Sequence, residues 1–156
     1  AALFLAIIPV TILHKLSNDK IIHDKTLRTM TVIALMVLLV QIIIGTGVRE
    51  QVDEVSKSLN YQQRDLWLPH LNAVFEAHKV FSIITSLLVI AVFWRGLSHA
   101  VLQPKALLLL LIVLMLMAAG ITLASFNIPA FIQPIHLLLS SILFVALFAF
   151  RLNLKK

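Results

Sequence analysis

Two histidines stand in stretches otherwise built for lipid. His136 lies in FIQPIHLLLSSILF (Phe131–Phe144) and His78 in FEAHKVFS (Phe75–Ser82). Ionisable groups at membrane depth are costly and mark sites that bind or carry something. Each histidine is followed four residues later by a serine, Ser82 and Ser140, one turn along the same helix face. Thr85 and Ser86 continue that face after His78. A strip of small side chains lets a flat ligand, or another helix, approach the backbone closely. Neutral imidazole is an axial ligand of haem iron, and two imidazoles from facing helices can fill both axial positions. Zinc suits the set less well, because cysteine is absent and only these two histidines share a depth. The alternative is that the histidines hydrogen-bond near helix ends and the serines serve helix packing.

Polar residues around the pair fit a ligand that carries carboxylates. Arg49, Arg64 and Lys79 are candidates to meet two propionates, arginine pairing with a carboxylate bidentately. Gln133 could bond a propionate or a neighbouring helix end. Gln41 and Gly45 in QIIIGTG, and Gly120 in AAGITLA, read as packing positions, with Gln41 bonding across helices. Pro134 fits the first turn of a helix, where its missing N–H matters little, and would aim His136. Glu76 precedes His78 by two residues, so on a regular helix it points about 200° away.

The elements that must position these residues are membrane helices. The 156 residues are 60% hydrophobic and 13% charged, with a mean hydropathy of +1.00, outside the range of a soluble domain. Four stretches are long enough to cross a bilayer, at Thr29–Thr46, Leu71–Trp94, Ala106–Ala124 and Ala130–Phe150, and with backbone groups satisfied internally all are helices. The predicted class is therefore all-α, an integral membrane four-helix bundle. It spans 29–156 with an outer loop at 47–70, read as a short amphipathic surface helix or a solvated loop. The turn SFNIP makes the last two helices a hairpin. Ala1–Leu13 is too short to span and lacks the preceding charges of a signal peptide, so it reads as the end of a preceding transmembrane helix, with 14–28 a connection.

Charge is distributed unevenly. Nine of the thirteen basic residues fall before the first span, between the second and third, or after the fourth: Lys15, Lys20, Lys25, Arg28, Arg95, Lys105, Arg151, Lys155 and Lys156. Only two of the seven acids, Asp19 and Asp24, accompany them. The positive-inside rule puts 14–28, 96–105 and the C-terminus in the cytoplasm. The net charge of +6 is thus a topology signal, and nucleic acid is not needed to explain it. His14, His23 and His99 fall on that side as solvated residues, and His70 at the opposite interface.

Taken together, QIIIGTGVREQVDE, FEAHKVFS and GITLASFNIPAFIQPIHLLLSSILF resemble the C-terminal half of a haem A synthase, over Thr29 to Arg151. That resemblance implies a protein of an energy-transducing membrane, such as a bacterial inner membrane, with eight helices in two similar halves. The family oxidises haem O to haem A for haem–copper oxidases. Its N-terminal half holds the substrate haem and its C-terminal half a haem b. His78 and His136 would then ligate haem b, with an N-terminal half or a second copy as partner, and haem O synthase or cytochrome oxidase components nearby. Three departures limit the transfer. The family's catalytic glutamate stands three residues before its histidine, whereas Glu76 is two before His78. The outer-loop cysteines of some members are absent. Lys79 occupies a position where arginine or glutamine is common. Two other classes compete: a non-catalytic cytochrome b-type membrane anchor, and a haem-free helical subunit.

Overall fold

The computed structural model describes residues 2–16 and 21–155, with side chains from Ala6 onward. Asp19, Lys20 and Lys156 of the charge asymmetry lie outside the described residues. The helices are α1 (Ala2–Leu16), α2 (Lys25–Ser58), α3 (Ala73–Gly96), α4 (Gln103–Ser125) and α5 (Ile132–Leu152), and the last four are long and apolar enough to cross a membrane. The chain is an all-α integral membrane bundle, as the composition requires. Helix α2 packs on α3 and α5, α4 packs on the same two, and α1 lies along α5. Helices α3 and α5 therefore stand diagonally across the bundle and run in the same direction.

One end of the bundle is tightly closed. Asp24 caps α2 by accepting the Leu27 N–H at 2.9 Å, and its other oxygen meets Arg95 at 3.1 Å and His99 at 3.0 Å. The cap thus ties the start of α2 to the α3–α4 connection. His99, expected to be solvated, is part of this cluster. A Cβ on Gly96 would stand 3.0 Å from the Phe150 ring and 3.1 Å from Ala106, so glycine is what lets α3, α4 and α5 meet there. A two-residue parallel bridge then joins β1 (Ile22–His23) to β2 (Leu154–Lys155). Buried Asn153 accepts from Lys105 Nζ at 2.7 Å through its side chain and from the Ile22 N–H at 2.9 Å through its carbonyl. Between lipid-facing helices, close packing of this kind supplies the adhesion that hydrophobicity supplies in water.

The opposite end departs from expectation. Residues 47–58, expected to belong to an outer loop, continue α2 as helix to Ser58. Neither Gly45 nor Gly47 breaks it, because Val48, Val52, Val55 and Leu59 recur at helical spacing and have a surface to cover. They pack with Trp67, Leu68, Leu71, Leu123 and Ile128 in a small second core beyond the bundle. The chain reverses through left-handed Asn60, Tyr61 and Gln63, then two short 3-10 turns at Arg64–Leu66 and Leu68–His70. Gln51 donates to the side chain of Asn72 at 2.7 Å, and Asn72 caps α3 through the Val74 N–H.

The cap at the closed end carries a pH-dependent share of stability. The Leu27 N–H, with His99 and Arg95, holds the Asp24 carboxyl down to about 2 against its burial. A depressed carboxylate stabilises the fold above its unfolded pKa and loses that contribution as pH falls through the folded one. Asp24→Ala is expected to cost about 2 kcal/mol at neutral pH. Thermal unfolding in mild detergent should show that difference shrinking from about pH 4 towards pH 2.

Candidate functional site

At the other end the bundle is hollow. His78 is the sixth residue of α3 and His136 the fifth of α5, so each ring enters about one and a half turns from its helix start. Because α3 and α5 are diagonal and parallel, the two imidazoles meet near the bundle axis. Their ring centroids are 6.4 Å apart, with planes inclined by 64°. The start of α5 is set by the turn before it. There Asn127 and Ile128 adopt φ of 52° and 55°. For a β-branched residue that conformation costs about 1–3 kcal/mol. It brings Ile128 inward, 6% exposed, against Val52 and Trp67. Pro134 falls in the first turn of α5, where no intrahelical donor is lost.

Each imidazole rests in a glycine notch on the preceding helix. A Cβ on Gly45 of α2 would lie 3.1 Å from His78 Cε1 and 3.5 Å from its Nδ1. A Cβ on Gly120 of α4 would lie 3.3 Å from His136 Cε1 and 3.8 Å from its Nδ1. The two hairpins, α2–α3 and α4–α5, thus present one arrangement twice. In both, the Nδ1–Cε1 edge of the ring turns to a glycine on the neighbouring helix.

A cavity of about 460 Å³ surrounds the pair, within the range of small-molecule and cofactor sites. Of the residues singled out from the sequence, Arg49, His78, Lys79, Ser82, Gln133, His136 and Ser140 line it, and Arg64 does not. Ser82 and Ser140 donate to the carbonyls of Lys79 and Leu137 on their own helices, at 2.7 and 2.8 Å. Their hydroxyls are thereby satisfied, leaving flat, neutral strips. Thr85 and Ser86 extend the strip, at 4% and 8% exposure. Arg49 and Lys79 stand at the mouth with exposed side chains. Lys79 pairs with Glu76 at 2.7 Å and lies over Phe75, and Arg49 only brushes Asp53 at 4.0 Å.

Arg64 is not part of this constellation. It lies over the Trp67 ring, 5.0 Å from the centroid, because the extension of α2 carries the reversing loop past the cavity mouth. Residues that sequence reasoning assigned to packing prove closer to the site. Gln41 contacts His78, and Gly45 and Gly120 shape the space for the rings. The α2 extension lines the cavity through Val48 and Val52; the signal that could have found it is the 4-3-4 spacing of Val48, Val52, Val55 and Leu59.

Among the described residues no third His, Cys, Asp or Glu joins the pair. The two imidazoles are the donors this cavity could offer to a cofactor.

Fold and site together define an integral membrane helical bundle built around a two-histidine cavity. The family profile described as Cytochrome oxidase assembly protein (COX15-CtaA) matches residues 1–148, and the chain belongs to that family. Its role is in cytochrome oxidase assembly. No curated protein and no solved structure matches the chain.

The glycine notches are tested by alanine. A Cβ on Gly47 would meet Val74 at an ordinary 3.5 Å. Gly47→Ala should therefore stabilise the helix by up to about 1 kcal/mol. Gly45→Ala, whose Cβ presses on His78, should gain nothing or lose stability in the same melting assay.

Proposed function

We propose that this chain is the haem b-binding half of a haem A synthase. The observation that carries the reading is the pair of imidazoles from diagonal helices, 6.4 Å apart inside a cavity of about 460 Å³. His78 and His136 would hold the iron from opposite faces. Ser82, Ser140, Thr85 and Ser86 leave room for the macrocycle, and Arg49, Lys79 and Gln133 meet its carboxylates at the mouth. Haem iron held by His78 and His136 would supply one-electron transfer rather than substrate turnover. The oxidation of haem O to haem A belongs, on this reading, to a partner half with a site of its own.

Membership of the cytochrome oxidase assembly family favours this reading over a respiratory membrane anchor with the same two ligands. The charge pattern supports an orientation with the cavity mouth on the outer side. The tightly closed basic end, with 14–28, 96–105 and the C-terminus, then faces the cytoplasm. A bacterial inner membrane suits that arrangement.

The chain purified in mild detergent with haem supplied should give, after dithionite, the sharp α and β bands of six-coordinate b-type haem. His78→Ala and His136→Ala should each lose most of the bound haem, while His99→Ala keeps it. Wild-type haem content in both of the first two variants would sink the ligand assignment.

A further inference from the structure

The cavity is not walled equally on all sides. Among the described residues that line it, the exposed ones are Arg49 on α2, Lys79 and Ile83 on α3, and Met117, Ile121 and Ala124 on α4. Ile83 is 61% exposed and Ile121 62%, although both line the cavity. A side chain does both at a rim, where the cavity surface runs out to the exterior. The lining residues of α5, by contrast, are buried or half-buried.

Helix geometry places this rim between α3 and α4. Val74 faces Gly47, so α2 lies along that flank of α3. Lys79 and Ile83 follow Val74 at about 140° and 180° round the helix, on the flank turned away from α2. On α4, Ile112 and Met115 share an outer groove with Leu139 and Ile142 of α5. Ile121 lies about 180° round from Ile112, on the flank turned away from α5, and Met117 and Ala124 share that face. The connectivity explains the gap. The α2–α3 and α4–α5 hairpins are each tied by a connection at the hollow end, whereas α3 and α4 are joined at the closed end. There a Cβ on Gly96 would stand 3.1 Å from Ala106. Ile83 lies about 15 Å along α3 from its start, and Met117 and Ile121 lie within the apolar span of α4. The slit therefore faces hydrocarbon, with Lys79 one turn nearer the outer end.

We propose that the cavity is loaded sideways from the bilayer, through the slit between α3 and α4, by a planar amphiphile dissolved in the lipid with its anionic groups at the outer interface. The proposal rests on the haem reading above. An apolar macrocycle partitions into hydrocarbon while its carboxylates stay among the headgroups. Moving in through the slit, it would reach His78 and His136 by its apolar edge, with the carboxylates trailing past Lys79. The Lys79 ammonium can snorkel to that level. No charged group then has to cross hydrocarbon, the costly step on any route that carries the carboxylates in first.

The test uses the full chain in phospholipid vesicles, with haemin added to partition into the same bilayer. Two rates are read: appearance of the six-coordinate spectrum, and release of haem to apomyoglobin. Ile83→Trp and Ile121→Trp narrow the slit, and Ile43→Trp is the control, being an exposed position on α2 that does not line the cavity. A passage sets the barrier and not the end states. Each slit variant should therefore slow uptake and release by the same factor, roughly tenfold, while Ile43→Trp keeps the wild-type rates. The pair Ile83→Ala with Ile121→Ala should speed both. Wild-type rates in both slit variants would overturn the proposal. So would equal slowing by Ile43→Trp, or slower uptake with unchanged or faster release, which marks damage to binding. If the tryptophan variants do not fold, the alanine pair decides: faster exchange supports the slit and unchanged exchange contradicts it. A wild-type chain that takes up no haemin contradicts the haem reading. Haemin bound by wild type, lost from His78→Ala and exchanged at rates indifferent to the slit removes only the lateral route.

Discussion

Two imidazoles held apart across the axis of a membrane bundle are the constraint around which this chain is built. At 6.4 Å between centroids the rings leave a gap between them, and in lipid a gap lined by polar nitrogens is not stable by default. Each neighbouring helix must stand close enough to hold a ring yet not fill the space in front of it. Gly45 and Gly120 solve that problem in the same way, once in each hairpin. Ser82, Ser140 and Thr85 beyond the rings satisfy their hydroxyls on carbonyls of their own helices, so they open space without creating new unpaired groups.

A hollow end has to be held by a firm one. The closed end carries the elements that resist separation of the helices: the Asp24 cap with Arg95 and His99, Phe150 packed on Gly96, and the buried Asn153 under the short strand bridge. The hollow end relies on its own small core. There the extension of α2 lines the cavity through Val48 and Val52, and Ile128 accepts a strained backbone to pack against Val52 and Trp67. The division is physical. Close contact supplies adhesion where nothing need bind, and the site end gives up contact for volume.

Much of this was legible in the sequence, for reasons that also explain what was not. The four spans follow from hydropathy and length; the last three match their helices to within about three residues at each end, while the first stops twelve residues short of the end of α2. The histidine pair stood out because an ionisable group in an apolar run is costly enough to need a reason. Seven of the residues singled out around it, Arg64 being the exception, line one cavity. Residues 47–58 read as part of the outer loop, in a short amphipathic surface helix or a solvated connection, whereas they continue α2 with an apolar stripe from Val48 to Leu59. Arg64 was misplaced with that loop. Gln41 was expected to bond across helices and does, but its partner was not. Which helix faces which, and in what register, decides that Gln41 meets His78 and that two glycines serve as notches. That information lies in the packing of helices far apart in sequence, and periodicity along one helix does not carry it.

The central claim is that His78 and His136 grip one iron between them. Pulsed EPR on the ferric protein grown with ¹⁵N-labelled histidine reads it most directly, because it identifies histidine nitrogens bonded to the metal. Two coordinated histidine nitrogens, with one signal lost in a variant of either residue, is the predicted result. A low-spin haem with one histidine nitrogen or none, or with both signals surviving in His136→Ala, would contradict the account.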